Sequence, residues 1–322
     1  MRNAGGNSDD DRFIVEEEGQ IVAGENGSFQ HHIAGGANTA TRIAGSSETD
    51  RPAVVLAGGS FRPWCLYSSM AQNIQGGDGH RTLSVSADSF YDLPQVSYWG
   101  REDVVFDKLK SVALDASATL NLRRIDDVSW GTSETFFRSA ADVPITGAGN
   151  VFVTNATPDR PFAVTVQGGA NTATGSIAAD ANSTLLFADG ANWAGTVVAN
   201  GNVVLTNGAE AASVSFGTLR LDADFPVRVW RSVDTETGRT TYSCDTLAVG
   251  AYTGTGALAP VLMNGDDDEC FPFGATLDLG TIGADSAIPR LAKHWRAIVV
   301  DGEGDARNIK LKFGVGFSVM VR

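Results

Sequence analysis

The chain has 322 residues, enough for a substantial core in one elongated domain or two compact ones. It carries 24 Lys and Arg against 38 Asp and Glu, a formal charge of −14. That charge repels a phosphate backbone and an anionic membrane surface, so nucleic acid is set aside as a partner. No run of 18 or more apolar residues occurs, so no membrane insertion of this segment is expected.

The first twelve residues are polar and acidic where a secretory signal needs a basic and then an apolar region, and residues 1–12 are expected to be a disordered segment. Gly, Ala, Thr, Ser, Asn and Asp dominate the chain, while Lys and long helix-forming stretches are scarce. Either the chain is cytosolic or its leader lies outside this sequence; this composition favours the second, and a secreted or cell-surface bacterial protein is expected.

An internal repeat follows. Phe29 to Ala34 and the heptapeptide Gly35-Gly36-Ala37-Asn38-Thr39-Ala40-Thr41 match Phe162 to Gln167 and Gly168-Gly169-Ala170-Asn171-Thr172-Ala173-Thr174. Upstream, Gly19-Gln20-Ile21-Val22 parallels Gly149-Asn150-Val151-Phe152; downstream, Val54-Val55-Leu56-Ala57 parallels Leu185-Leu186-Phe187-Ala188. A unit of roughly 45 residues is used twice, and the two heptapeptides are expected to adopt the same turn.

Between and within these units, apolar residues alternate over short stretches bounded by Gly, Asn and Asp, the signature of strands. Leu83-Ser84-Val85, Val112-Ala113-Leu114, Leu120-Asn121-Leu122, Val151-Phe152-Val153, Val203-Val204-Leu205 and Leu219-Arg220-Leu221 are the clearest. Leu120, Leu122, Val151, Val153, Leu205 and Leu219 are expected to point inward. Brief strands, a long-range repeat and Asn and Gly at corners favour a solenoid, in which each coil buries its inward side chains against the next.

Near residue 222 the pattern changes. Val227 to Val233 and Thr240 to Cys244 flank a turn rich in Asp, Thr and Gly, and Trp295 to Val300 and Ile309 to Phe313 flank another, so both read as hairpins. Phe313 to Val321 reads as a last, cleanly alternating strand. The division expected is residues 13–221 as a β-helix repeat region and 222–322 as a C-terminal β-hairpin or cap region closing it. The fold class expected is all-β, a right-handed parallel β-helix with a C-terminal antiparallel β cap.

Asn192-Trp193-Ala194-Gly195-Thr196-Val197-Val198-Ala199-Asn200-Gly201-Asn202-Val203-Val204-Leu205 resembles the autotransporter-associated β-strand repeat, an aromatic, then x-Gly-x and an aliphatic, followed by a Gly-containing turn and a V-x-L strand. Ile145-Thr146-Gly147-Ala148-Gly149-Asn150-Val151 looks like the opening of such a repeat. The resemblance covers about residues 145–221; the first half of the chain matches poorly. It implies a right-handed β-helical passenger, displayed or released by bacteria, with no catalytic role of its own, and with Trp193 in the core.

Candidate chemistry is thin. Asp222 and Asp224 alternate at strand spacing, Asp126 and Asp127 adjoin Arg123 and Arg124 in a turn, and Asp266-Asp267-Asp268-Glu269 form a run; each reads as solvated surface. Asp301, Glu303 and Asp305 are spaced two apart with glycines, as a calcium loop needs, but Ala306 stands at the loop's glycine position and Lys312 where its last carboxylate belongs. No nucleophile-elbow, zinc-helix or phosphate-loop motif occurs. Cys65, Cys244 and Cys270 are either three buried thiols or a Cys244–Cys270 bridge with Cys65 buried. No catalytic, cofactor or metal residue is assigned, and no cofactor is expected. The function expected is a non-enzymatic surface scaffold or adhesin-like passenger with a polysaccharide or cell-surface ligand. A carbohydrate-active β-helix enzyme and a phage tail-spike-like receptor-binding fibre are the alternatives.

Overall fold

The computed structural model describes residues 13–15, 20–31, 41–43, 52–63, 75–76, 81–94, 103–104, 109–125, 137–141, 143–156, 162–168, 170–265, 271–301 and 306–314. Every regular element among them is a strand. The chain is all-β and its strands are mostly parallel.

Five sheets share these strands. In chain order, the long sheet holds Ser28–His31, Ser60–Pro63, Ser89–Pro94, Thr119–Ile125, Asn150–Asn155, Ser176–Ala179, Asn192–Ala199, Ser213–Leu221, Thr246–Gly254 and Thr276–Gly283. Each pairs in parallel with the one before it. A second sheet is built the same way from Ile21–Gly24, Val54–Ala57, Thr82–Ala87, Ser111–Leu114 and Ile145–Gly147. The third runs from Asp103–Val104 through Phe137–Ala141, Phe162–Val166 and Ser183–Ala188 to Val203–Thr206. The chain thus visits the sheets in turn and comes back to each beside its own previous strand.

This register stacks like positions into apolar columns. Val54, Leu83, Val112 and Ile145 lie opposite one another in the second sheet, and Tyr91, Leu122 and Val153 in the long sheet. Val166, Phe187 and Leu205 do so in the third. All are buried, as are Leu120, Val151 and Leu219, the other residues expected to point inward. Burying each such side chain stabilises the fold by about 1.5–3 kcal/mol. A strand of four or five residues therefore suffices, because its inward side chains find partners on the passes before and after it.

The second sheet ends at Ile145–Gly147, and residues 170–174 of the second heptapeptide take its place: the amides of Thr172 and Ala173 donate to the Ile145 carbonyl and that of Thr174 to Gly147. Asn171, 2% exposed, fastens this seat. Its Oδ1 accepts from the Ile145 amide at 3.0 Å, and its side chain, amide and carbonyl exchange three hydrogen bonds of 2.7–3.1 Å with Asn192. The first heptapeptide, but for Thr41, lies outside the described residues, so the comparison of the two turns does too.

From residue 192 the long sheet does the work of two, and its strands lengthen to eight or nine residues. In Ser213–Leu221 the inward residues are Val214 and Phe216, then Leu219 and Leu221, so the alternation slips by one at Gly217. The strand turns a corner there and faces the same core on both sides. Gly149, Gly175, Gly195, Gly217, Gly250 and Gly283 follow one another at this corner, and a Cβ on any of the last five would run into the backbone of the pass below.

Beyond residue 222 the parallel ladders continue: Ala257–Leu262 lies on Phe225–Val233, and Arg290–Leu291 on Ala257–Leu262. Antiparallel pairing enters where the two hairpins were expected, Phe225–Val233 with Thr240–Cys244 and Trp295–Asp301 with Ala306–Phe313. Ala306–Phe313 also pairs antiparallel with Thr276–Gly283, ending the long sheet. Phe271, Trp295 and Phe313 cluster there at ring separations of 4.9–5.8 Å. Residues 315–322 of the expected last strand lie outside the described residues.

The internal repeat does not map onto equivalent positions. Ile21–Gly24 is in the second sheet whereas its counterpart Asn150–Asn155 is in the long one, and Val54–Ala57 is in the second sheet whereas Ser183–Ala188 is in the third. Short alternating segments fit any face of such a stack, so sequence similarity carries no face assignment.

Candidate functional site

Where the long sheet leaves its corner, its outward side chains stand in rows across neighbouring strands. Thr119, Asn150 and Ser176 come first, with Asp88 beside them in the bend that precedes Ser89–Pro94; Phe90, Asn121, Phe152 and Ala178 come second; Asp92, Arg123 and Thr154 third. Period-two alternation turns them away from the buried Leu120, Leu122, Val151 and Val153. The first two rows, Phe90 apart, line a groove of about 340 Å³, in which Phe152 is partly exposed.

The polar groups are held in place from strand to strand. The Thr119 amide donates to Asp88 Oδ1 at 2.8 Å, and the Ser176 amide and hydroxyl both donate to Asn150 Oδ1 at 2.8 Å. Asn121 Nδ2 donates to the Ser89 carbonyl at 3.1 Å. In the third row the Arg123 guanidinium binds Asp92 through two bonds of 2.8 and 3.0 Å and lies 4.0 Å over the Phe90 ring. The Thr154 hydroxyl donates to Asp180 at 2.8 Å. Partial burial raises the Asp180 pKa, but hydrogen bonds from the Asn155 amide, Ser183, Thr154 and the Asn182 amide outweigh it and leave the carboxyl below its ordinary value.

Three polar atoms of the groove-lining residues have their capacity unused. Among the described residues, Asp88 Oδ2, Asn121 Oδ1 and Asn150 Nδ2 make no hydrogen bond. The groove therefore presents an aromatic ring flanked by a carboxylate oxygen, an amide acceptor and an amide donor, an arrangement that suits binding of a polar, hydroxyl-bearing chain.

The residues weighed from sequence lie elsewhere. Asp222 and Asp224 do not alternate along a strand; they sit in the connection between Ser213–Leu221 and Phe225–Val233, and both are exposed. Arg220 pairs with Asp222 at 2.8 Å, and Asp224 accepts from the Ala257 amide at 2.9 Å. Arg123 and Arg124 are not in a turn but in the strand Thr119–Ile125, Arg123 outward and Arg124 buried. Asp126, Asp127, Asp266, Asp267, Asp268, Glu269, Glu303 and Asp305 lie outside the described residues, and Asp301 ends the strand Trp295–Asp301. Trp193 is fully buried, as the repeat resemblance implies, with its indole N–H donating to the Gly175 carbonyl at 3.0 Å.

Cys244 is buried, and its Sγ lies 3.3 Å from the Asp278 carbonyl. Burial, then the nearby Asp245 and Asp278 carboxylates, push its thiol up to about 12. Cys65 and Cys270 lie outside the described residues. Asp245, fully buried, accepts from the Arg228 side chain at 2.9 and 3.0 Å and from the Ala212 and Arg228 amides, a structural ion pair joining two passes of the chain.

Sequence reading passed over Asn121, Asn150 and Phe152. The signal present was an aromatic in the outward place of an alternating strand, Asn150-Val151-Phe152-Val153-Thr154, where a polar residue is the norm. No family model, no curated protein and no solved structure matches the chain.

Proposed function

We propose that the chain is a right-handed parallel β-helix serving as a non-enzymatic scaffold, secreted or at the cell surface, in the manner of an adhesin-like passenger. The supporting observation is the long sheet, which gains one parallel strand each time the chain returns to it, from Ser28–His31 to Thr276–Gly283. The right hand follows from the general rule for parallel crossover connections. Such a stack offers a long, regular lateral surface on which binding groups repeat from strand to strand.

The carboxylates favour a scaffold over a glycosidase. Two-carboxylate hydrolysis needs carboxyls about 5–9.5 Å apart, one with a raised pKa. Asp88 lies in the bend that precedes the strand Ser89–Pro94 and Asp92 lies within that strand, and Arg123 neutralises Asp92. Asp222 and Asp224 stand open to solvent in a connection, away from the groove.

The test has two arms. Intact cells of the native host are shaved with protease and the released peptides identified; peptides of this chain are expected. The purified chain is then incubated with a panel of neutral and acidic polysaccharides and assayed for new reducing ends and unsaturated uronates, and none are expected. Turnover abolished by Asp88→Asn or Asp222→Asn, or retention of the chain inside shaved cells, would overturn the reading.

A further inference from the structure

The geometry points to a neutral-glycan binding site in the groove of the long sheet, with Phe152 as the stacking platform and Asp88, Asn121 and Asn150 as the hydroxyl-binding groups. This rests on the scaffold reading only in that the site binds and does not cleave.

Four observations lead there. First, Phe152 sits partly exposed in an outward row where alternation calls for a polar side chain, and it lines the groove rather than packing into the core. An aromatic ring presented this way stacks on the C–H face of a pyranose while leaving the sugar's equatorial hydroxyls directed sideways. Second, what lies sideways is matched to hydroxyls: Asp88 Oδ2 and Asn121 Oδ1 accept, Asn150 Nδ2 donates, and none has a partner among the described residues. A sugar hydroxyl both donates and accepts, so a mixed set of this kind serves it better than it serves an ion.

Third, charge excludes the common polyanionic glycans. The chain carries a net −14, the groove's one carboxylate is Asp88, and the cation of the adjoining row, Arg123, is already taken up by Asp92 and the Phe90 ring. A uronate or sulfated chain would meet repulsion with no free cation in the described rows to offset it. Fourth, the rows run across strands spaced about 4.8 Å apart, close to the length of one hexose along a β-linked chain. Asn121, Phe152 and Ala178 lie on consecutive strands of the second row, so successive sugars of an extended glycan meet successive strands. The held orientation of Asn150 and Asp88, each anchored through its Oδ1, means little rotamer freedom is lost on binding.

The experiment titrates the full chain with cello-, laminari-, malto- and manno-hexaose by isothermal calorimetry, with oligogalacturonate and heparin hexasaccharide as anionic arms. At least one neutral hexaose is expected to bind. Phe152→Ala is expected to weaken that binding at least tenfold, the scale of one lost aromatic stack, while Phe152→Trp retains it and Asp222→Asn leaves it unchanged. Should Phe152→Ala fail to fold, judged by its circular dichroism and melting, Asn121→Ala carries the test with a smaller expected loss. Absence of binding by every neutral hexaose, binding by the anionic arms alone, or neutral binding that survives both substitutions would overturn the site. Cleavage of a bound hexaose would instead overturn the scaffold reading and leave the site standing.

Discussion

Replacing Gly195 by Ala isolates the role of the glycine corner. Gly195 lies in Asn192–Ala199 where the register shifts between Trp193 and Thr196. A Cβ there would fall far inside contact with the Gly175 carbonyl oxygen and 2.6 Å from the Thr174 carbonyl carbon and oxygen. These are backbone atoms, and the Gly175 carbonyl is further held by the Trp193 indole, so no flexible side chain can give way. Gly195 does not have a positive φ, so Ala is conformationally tolerated, and its stiffer unfolded chain would favour folding by about 0.4–1 kcal/mol. Overpacking costs about 1–3 kcal/mol, and with backbone on the receiving side the upper end applies, leaving a net loss of about 2 kcal/mol or more. Gly190 is the contrasting case, with φ 76° and nothing within 4 Å of a Cβ. There Ala costs about 1–2 kcal/mol for its left-handed backbone, and Asn, which visits that region readily, costs less. Urea unfolding reads both: Asn is expected to be milder than Ala at position 190 and at least as damaging at 195, with the midpoint shifting at constant m. A Gly195→Ala variant within about 0.5 kcal/mol of the parent, the range of an ordinary surface change, would refute the corner argument.

Trp193→Ala empties a fully buried site and is expected to cost about 3–5 kcal/mol in the same assay. Asp245→Ala leaves Arg228, 8% exposed, buried without its counter-charge and is expected to cost about 3–5 kcal/mol. The Cys244 thiol, pushed up to about 12 and buried, is expected to resist iodoacetamide at pH 8 in the folded chain and to react after unfolding in urea, read by mass spectrometry of its peptide. Asp180 has a lowered folded pKa, so its contribution is present above the unfolded value of about 4 and lost as pH falls through the folded value. Asp180→Asn is expected to flatten that acid limb of stability, measured as melting temperature against pH, and to leave the slope above pH 6 unchanged.

Strands and their inward residues were legible because alternation is local. Leu120 and Leu122 announce their face within three residues, and both hairpins beyond 222 are bracketed by their own turn chemistry. Which sheet a strand joins was not legible, since that depends on how many residues the chain spends between returns. The 21 residues from Asn171 to Asn192 and the 33 from Asp224 to Ala257 close the same kind of step. The corner was written in the sequence as Val214-Ser215-Phe216-Gly217-Thr218-Leu219, an alternation that slips at a glycine, but it reads as an ordinary strand until the next pass is laid on it. The groove was hidden for a similar reason. Asp88 comes from a bend and Asn121, Asn150 and Phe152 from two strands, each ordinary alone, and they become a site only through the register that aligns the strands. The acidic pairs that stand out in the linear chain, Asp222 and Asp224 above all, owe their prominence to turn chemistry, where Asp is an ordinary choice.

The most direct test of the parallel stack places cysteine pairs across residue 222. Ser215 lies opposite Ala248 and Arg220 opposite Thr253, and all four side chains are exposed. Neighbouring strands about 4.8 Å apart are within disulfide reach, whereas a two-residue slip opens the pair to about 8 Å, beyond it. Ser215→Cys with Ala248→Cys, and Arg220→Cys with Thr253→Cys, are each oxidised under mild conditions and mapped by peptide mass spectrometry, with Ser213→Cys plus Ala248→Cys as the slipped control. Both in-register pairs are expected to cross-link and the control is not. An antiparallel arrangement that joins Ser215 to Ala248 carries Arg220 away from Thr253, so cross-linking of only one pair, or of the control in preference to both, would contradict the account.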